Sequence, residues 1–367
     1  MLARLESRRK NTTAAHLLAS LFFAASLSFT LLSAESTVDP KYLELIKTLM
    51  ASRFKNTPPN EIFKPNAEEF EREFHATTQA AQKDPLQFPK GNGVRLLMTG
   101  HSWVQPAVRT LPAIAAAGGF DGHHQRAHTS GGSTGSANSI WLTEFGKFPG
   151  KPVTPILMPA LATGQWDVMS WGAYYGDTLE CYTQWIDVCL KQNPAMTFLI
   201  QDGWPIYPPL PETSPKEDFL GAFDAQQVVV QQEMFRKPYD GLNERYPGKV
   251  HIIPAGAAVL EMLHHYYAGR LPGYDCVNEK LGGKRGIYSD GGHLSKNGME
   301  QLVGYLYYAM LYRQSPERIA NYKPAGIDPT VDQLMRKAAW NAITHSPFSG
   351  ITDKDGKGMA DEPAEKK

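Results

Sequence analysis

The sequence predicts a three-layer α/β/α fold built on a parallel sheet. Short apolar runs alternate along the chain with longer stretches of helical spacing. The apolar runs cover residues 94–99, 166–169, 196–201 and 249–254, and the helical stretches cover residues 103–117, 177–191, 219–245 and 294–313. Such alternation places helices on both faces of a buried parallel sheet. Ligands of these sheets bind at the carboxyl ends of the strands, so chemistry is expected there.

Residues 1–34 predict a secretory signal peptide. Basic residues stand at positions 4, 8, 9 and 10, and an apolar run fills residues 17–32. The small residues Ser33 and Ala34 then precede polar ones, which is the order of a cleavage site. The run is short for a membrane span, which needs about 20 predominantly apolar residues, and an uncleaved anchor is the alternative. We expect a mature chain without a stable membrane span, located in the secreted, periplasmic or cell-envelope fraction.

Residues 35–90 predict a helical N-terminal extension that packs on the main domain. Apolar residues follow helical spacing from Tyr42 to Met50, and a polar helix is expected over residues 67–82. The main domain is expected over residues 91–322. Residues 323–367 predict a C-terminal helix, around residues 332–343, and a charged, flexible tail.

The charge balance of the 367-residue chain argues against nucleic-acid binding. Lys and Arg total 37, as do Asp and Glu, so the formal net charge is zero. A protein that holds nucleic acid through its phosphates normally carries a basic excess.

The three cysteines are too few for a disulfide scaffold. Cys181 and Cys189 would lie about 12 Å apart on one helix, so buried free thiols are expected.

Ser102 stands at a predicted strand-to-helix junction, directly after the first strand of the main domain. Its hydroxyl would face the ligand-binding edge of the sheet, where the helix N-terminus would stabilise negative charge. A serine hydroxyl is a weak nucleophile and needs an adjacent base. The alternative interpretation is a plain helix N-cap, which is a common role of serine.

Asp290 and His293 supply the base that such a serine needs. They are separated by Gly291 and Gly292 and precede a long predicted helix. A carboxylate there can accept a hydrogen bond from one imidazole nitrogen and leave the other nitrogen as general base. Either residue alone could be a cap or a core residue. Together, at the end of the α/β unit that Ser102 opens, they predict a catalytic triad.

The segment 130–136, Ser-Gly-Gly-Ser-Thr-Gly-Ser, follows the expected second strand. Glycine-rich turns expose backbone N–H groups that can bind an oxyanion. A nucleotide phosphate loop fits less well because the Lys-Ser/Thr ending is missing, and a flexible loop is the alternative. Gln201 and Asp202, after a later strand, are interpreted as polar residues that end pairing rather than as site residues.

These segments, in this order, resemble the SGNH hydrolase family, also called GDSL-like esterases and lipases. Gly100-His101-Ser102 matches the family's Gly-x-Ser block, with His101 in place of the usual Asp, and Asp290 to His293 matches its Asp-x-x-His block. The resemblance covers about residues 91–315. It implies a flavodoxin-like α/β/α sandwich in which Ser102 is the nucleophile, His293 the base and Asp290 the residue that orients it.

The resemblance also implies an oxyanion hole. Its donors are the backbone N–H groups of Ser102 and of Gly131, with Gly132 as the neighbouring alternative. The family's third block normally offers an Asn in a Gly-x-Asn-Asp turn, and this sequence has no such turn. The third oxyanion donor is therefore unassigned.

The resulting hypothesis is a serine esterase that needs no metal and no organic cofactor. Its expected partner is a small-molecule or glycan ester, with acetyl esters of carbohydrates preferred. That preference rests on export and on an aromatic set formed by Trp166, Trp171, Tyr174, Tyr175, Trp204 and Tyr207. One alternative is a glycan-binding protein with an ineffective oxyanion hole. Another is a metal-dependent phosphoesterase that uses Asp177 and the histidines at positions 123, 124 and 128. The sequence does not indicate an oligomeric state.

Overall fold

A parallel sheet of five strands lies at the centre of the protein, in a computed structural model that describes residues 39–54, 67–83, 87–148, 150, 155–229, 237–296 and 298–362. Its strands are β1 (Arg95–Gly100), β2 (His124–Thr129), β3 (Val168–Gly172), β4 (Thr197–Gln201) and β5 (Val250–Ile253). The order across the sheet is β2-β1-β3-β4-β5. In this doubly wound order the direction of strand addition reverses between β1 and β3, which places a crevice at their carboxyl ends.

Helices connect the strands and cover the sheet. They are α1 (Pro40–Phe54), α2 (Ala67–Lys83), α3 (Gln105–Ala117), α4 (Ala137–Glu144), α5 (Leu157–Leu161), α6 (Leu179–Gln192), α7 (Lys216–Val229), α8 (Lys237–Arg245), α9 (Ala255–Tyr267), α10 (Glu300–Tyr312) and α11 (Pro329–His345). A small parallel pair, β6 (Cys276–Asn278) and β7 (Gly286–Tyr288), lies between α9 and α10.

Alternating strand residues supply two separate hydrophobic cores. Leu96 and Met98 of β1 pack on one face with α3, α9, α10 and α11. Leu97, which points to the other face, packs with α4, α5, α6 and α8. This period of two is the reason that a short apolar run suffices for a strand buried on both faces. The predicted α/β/α sandwich with a parallel sheet is confirmed.

Some element boundaries differ from the prediction. The expected helix over residues 219–245 is described as α7 and α8, and residues 230–236 between them lie outside the described part. The expected helix from residue 294 begins only at Glu300. The chain first makes a turn in which the Ser295 carbonyl accepts hydrogen bonds from Gly298 N and Glu300 N. Cys181, Cys189 and Cys276 are free thiols, as predicted.

The N-terminal extension contacts both faces of the sandwich. Helix α1 packs on α7, where Ile46 contacts the cluster formed with Ala225 and Val229. Helix α2 contacts α5 on the opposite face and contributes Phe74 to the second core. Among the described residues, no helix combines the length and apolarity that crossing a bilayer demands. The predicted signal peptide, residues 1–34, lies outside the described part, so its prediction stands as made.

The C-terminal segment corrects one expectation. Residues 353–362, predicted as part of a flexible tail, are fixed on the domain by hydrogen bonds. Trp340 Nε1 donates to Asp353 Oδ2 over 2.8 Å, and Ser315 N donates to the Gly358 carbonyl over 2.9 Å. The prediction of a free tail rested on its polar and glycine-rich composition. Hydrogen bonds to distant parts of the chain cannot be recognised from the composition of the segment itself.

A buried ion pair fastens α11 to the preceding loop. Arg336 Nε lies 2.8 Å from Asp332 Oδ2, and the guanidinium also donates to the carbonyls of Pro316, Ile319 and Tyr322 at 2.6–3.0 Å. Both side chains are almost excluded from solvent. In the unfolded chain these guanidinium N–H groups donate to water. In the folded protein they donate to Asp332 and to the three carbonyls instead.

We expect Arg336→Met to lower the free energy of unfolding by about 3–5 kcal/mol, because it leaves the buried Asp332 carboxylate without its cation. Urea unfolding followed by circular dichroism measures the change. Lys337→Met, at the exposed neighbouring position, is the matched control and should leave the midpoint nearly unchanged. Equal unfolding midpoints for the two variants would contradict the stabilising role of the buried ion pair between Arg336 and Asp332.

Candidate active site

Ser102 lies in the turn between β1 and α3, at the carboxyl edge of the sheet. The turn runs tightly against β3: a Cβ added to Gly100 would stand 2.8 Å from Gly172 N and 2.7 Å from Val104 Cγ2. Gly100 also has a φ of 147°, which favours glycine. Helix α3 has Val104 as its N-cap. Ser102 therefore does not cap the helix, and its hydroxyl is available for other contacts.

Ser102, His293 and Asp290 form a continuous hydrogen-bonded chain. Ser102 Oγ lies 2.7 Å from His293 Nε2, and His293 Nδ1 lies 2.8 Å from Asp290 Oδ2. A carboxylate only accepts, so Nδ1 carries the proton and Nε2 presents its lone pair to the serine hydroxyl. Asp290 and His293 are about a third and nearly half exposed, so the site opens to solvent.

The turn that carries Asp290 and His293 is held by its own backbone. Asp290 Oδ1 accepts hydrogen bonds from Gly292 N at 3.1 Å and His293 N at 2.8 Å. Partial burial by itself would raise the pKa of Asp290. These two N–H groups and the imidazole outweigh it and hold that pKa below its ordinary value. The carboxylate consequently stays charged next to the imidazole over the neutral range.

The glycine-rich loop approaches the serine turn at one end and is open at the other. A Cβ at Gly135 would stand 2.6 Å from both the Gly100 carbonyl and His101 Cα, so only glycine fits there. A Cβ at Gly131 would meet nothing within 4 Å. Within the described residues, the backbone N–H groups of Ser102 and Gly131 donate to no acceptor. Gly132 has a φ of 54° and opens a short 3₁₀ turn.

Two contacts that the sequence did not predict hold the serine turn. Gln201 Nε2, at the end of β4, donates to the Trp103 carbonyl over 3.1 Å, so Gln201 contacts the site and does more than end a strand. The Trp103 ring stacks on Trp204, with centroids 4.4 Å apart. Trp204 Nε1 in turn donates to the Gly292 carbonyl over 3.0 Å. This indole pair connects the neighbour of Ser102 with the neighbour of His293.

The predicted aromatic set divides into core and rim. Trp166, Trp171 and Trp204 are at most 2% exposed and belong to the two cores, so they cannot contact a ligand. Tyr174, Tyr175 and Tyr207 are partly exposed. The aromatic prediction failed for the tryptophans because a large apolar ring after a strand satisfies core packing as well as ligand binding.

Two of the histidines considered for the metal-dependent alternative have other partners. His123 bonds to Gln125 and to Tyr312, and His128 Nδ1 lies 2.6 Å from Glu144 Oε1. The described residues contain no group of three or more His, Cys, Asp or Glu placed to hold a metal ion. The metal-dependent phosphoesterase hypothesis therefore lacks a site in the described part of the chain.

Asp177 is a buried carboxylate in the loop after β3. Its Oδ2 accepts from Tyr174 N at 3.0 Å and from the Tyr182 hydroxyl at 2.9 Å. Burial raises the pKa of Asp177 to about 7, against the opposing effect of these hydrogen bonds. The residue therefore joins the loop after β3 to α6.

Comparisons with known proteins reveal similarity in fold alone. A DUF4886 family protein from Bacteroides uniformis superposes with a TM-score of 0.50 and 16% identity, covering 69% of this chain and 95% of that chain. A candidate platelet activating factor from Streptococcus pneumoniae (TM-score 0.35, 13% identity, 72% and 99% covered) and a candidate GDSL-like lipase from Parabacteroides merdae (0.31, 14%, 60% and 97%) are weaker matches. No protein-family model and no curated protein matches the sequence. The first match supports the sandwich fold, and at this identity it assigns no activity.

We expect the stability of the protein to fall as the pH rises from about 4 to about 7, relative to Asp177→Asn. Over that interval the unfolded chain loses the Asp177 proton while the folded protein keeps it, because the folded pKa is raised to about 7. The difference should reach roughly 4 kcal/mol at most, since one pKa unit corresponds to about 1.4 kcal/mol, and stay constant above pH 7. Urea unfolding of both proteins at several pH values measures it. Asp240→Asn, at an exposed position, is the control, and parallel curves for wild type and Asp177→Asn would contradict the expectation.

Proposed function

We propose that this protein is a serine hydrolase that cleaves O-esters through an acyl-enzyme on Ser102. The single observation that supports it most strongly is the chain of contacts from Ser102 Oγ to His293 Nε2, 2.7 Å, and from His293 Nδ1 to Asp290 Oδ2, 2.8 Å. These are the distances and the order that activate a serine in triad enzymes. The proposal is also supported by the position of Ser102 at the carboxyl edge of the parallel sheet, because ligands of such sheets bind at that edge.

In the proposed mechanism His293 carries two protons, one in each half-reaction. Ser102 Oγ attacks the ester carbonyl carbon while its proton passes to His293 Nε2, and Asp290 stabilises the imidazolium that forms. The tetrahedral intermediate collapses, the carbon–oxygen bond of the alcohol breaks, and His293 protonates the departing oxygen. A water molecule then gives a proton to His293, attacks the acyl-serine, and releases the carboxylic acid as Ser102 recovers its proton.

The oxyanion hole in this proposal consists of the backbone N–H groups of Ser102 and Gly131. Both are without an acceptor in the described residues, and both belong to the loops that meet at the serine turn. The β3 loop offers no equivalent backbone donor at its start, since Ala173 N donates to the Gln201 carbonyl and Tyr174 N to Asp177. Loss of one oxyanion donor typically costs about 2.7–4 kcal/mol of transition-state stabilisation. With two such donors we expect a modest turnover rate.

For the substrate we propose acetyl esters of carbohydrates, in keeping with the predicted export of the chain. Three observations support an aromatic-rimmed site: Trp103 beside the nucleophile is partly exposed, as are Tyr174 and Tyr207. A virtual Cβ at Gly132 stands 3.9 Å from the Tyr174 hydroxyl, so that ring borders the glycine-rich loop. Aromatic rings with a polar tip suit sugar rings, which present both apolar faces and hydroxyl groups.

We expect the wild-type protein to hydrolyse p-nitrophenyl acetate and to be labelled by a fluorophosphonate at Ser102, and Ser102→Ala to lose both. Removal of the nucleophile leaves only the residual catalysis of the surrounding donors. Ser346→Ala, far away at the end of α11, is the matched control and should retain activity. Acetate release from acetylated oligosaccharides, absent in Ser102→Ala, would establish the substrate class. Oligosaccharide retention without any labelling of the wild type would instead support a glycan-binding protein.

We expect Asp290→Asn to lower kcat by on the order of 10³–10⁴-fold with little change in KM. The amide would stabilise the imidazole tautomer that carries its proton on Nε2, and that tautomer cannot accept the Ser102 proton. Steady-state kinetics with p-nitrophenyl acetate measures the change, and a thermal melt shows whether the fold persists. A folded Asp290→Asn variant with wild-type kcat would remove Asp290 from the mechanism.

A further inference from the structure

His101 occupies the position directly before the proposed nucleophile, and it is only 5% exposed. Its Nε2 lies 3.0 Å from the carbonyl oxygen of Ala173, in the loop that follows β3. A carbonyl oxygen only accepts hydrogen bonds, so the Nε2 atom must carry a proton and donate it. The other ring nitrogen, Nδ1, lies 3.5 Å from Trp103 N and faces it as an acceptor.

Two further contacts hold the ring of His101 in one orientation. Its centroid is 5.4 Å from that of Trp103 and 5.2 Å from that of Tyr174, which meets it edge-on. A Cβ added to Gly172 would stand 3.5 Å from both Cδ2 and Nε2 of His101, so the ring lies close to the end of β3. Rotation of the side chain would break the hydrogen bond to the Ala173 carbonyl.

The charge state of His101 is also defined by its surroundings. Burial lowers the pKa of His101 to about 4, and this outweighs the Ala173 hydrogen bond, which acts in the opposite direction. Positive charge on His293 contributes to the lowered pKa in the same direction as burial, and to a smaller extent. His101 therefore remains a neutral donor while His293 gains and loses its proton. Two imidazoles in one site thus have separate tasks.

We infer that His101 is a positioning residue whose neutral Nε2–H, bonded to the Ala173 carbonyl, fixes the Ser102 turn on the β3 loop and thereby sets the distance from Ser102 Oγ to His293. The inference rests on the proposed function. It also gives a physical reason for the departure from the family's usual Asp at this position. A carboxylate at residue 101 would direct negative charge at a carbonyl oxygen and could not donate to it.

Three substitutions test the hydrogen bond. His101→Gln keeps an N–H donor at similar reach, and we expect it to retain most of kcat. His101→Leu keeps the volume without a donor, and His101→Asp introduces the family's usual residue; we expect each to lose about 100-fold in kcat with KM little changed, because a misplacement of about 1 Å can cost that much. His123→Gln, a histidine replacement away from the site, should leave kcat unchanged. Wild-type activity in folded His101→Leu or His101→Asp would overturn the inference.

A spectroscopic measurement on the wild-type protein tests the tautomer independently of activity. In a long-range ¹H–¹⁵N correlation spectrum of the wild-type protein at pH 7, we expect His101 as the neutral tautomer protonated on Nε2. The His101 signal is assigned by its absence in His101→Gln. Protonation on Nδ1, or on both nitrogens, would overturn the inference. If the wild type showed no hydrolysis and no labelling, the proposed function would fail. If the wild type is active, the difference in kcat between His101→Gln and the variants His101→Leu and His101→Asp tests the role of His101 alone.

Discussion

The hydrogen bond between Ser102 Oγ and His293 Nε2 joins residues 191 positions apart in the chain. Contacts between residues close in sequence cannot bring these two side chains together. The contact exists because β1 ends at Gly100 and the sheet order places that end between β2 and β3, at the edge that the turn after β7 also reaches. Folding must therefore be complete before the serine has a base, and every contact that fixes the sheet edge also fixes the proposed chemistry.

The serine turn is attached to its surroundings on several sides. His101 bonds to the loop after β3, and Gln201 bonds the Trp103 carbonyl to the end of β4. The stacked indoles of Trp103 and Trp204 lead to Gly292, next to the proposed base. None of these contacts involves Ser102 Oγ, the His293 imidazole or the Asp290 carboxylate. Their common effect is to hold the backbone on both sides of Ser102 in place before any substrate arrives, which lowers the entropic cost of the proposed reaction.

Local pattern predicted the buried strands, because β1, β3, β4 and β5 each read as an apolar run. It did not identify β2, His124–Thr129, as a strand by composition, since an edge strand with solvent on its flank tolerates polar residues. The pair Asp290 and His293 was found by spacing. The contacts of His101 and Trp204 were not, because their partners Ala173 and Gly292 are 72 and 88 residues away and are backbone carbonyls, which leave no residue-type signal.

The glycine-rich loop has unequal freedom at its two ends. Gly135 touches the Gly100 carbonyl and His101 so closely that a single methyl group would displace one segment from the other. Gly131 has an ordinary extended backbone, with φ −88° and ψ 135°, and empty space where a side chain would project. Larger residues could thus be accommodated at position 131 without moving its N–H group. In the proposed esterase, we expect residues at position 131 to alter selectivity for the acyl or alcohol part of the ester. Gly135, at the other end of the loop, does not tolerate a side chain.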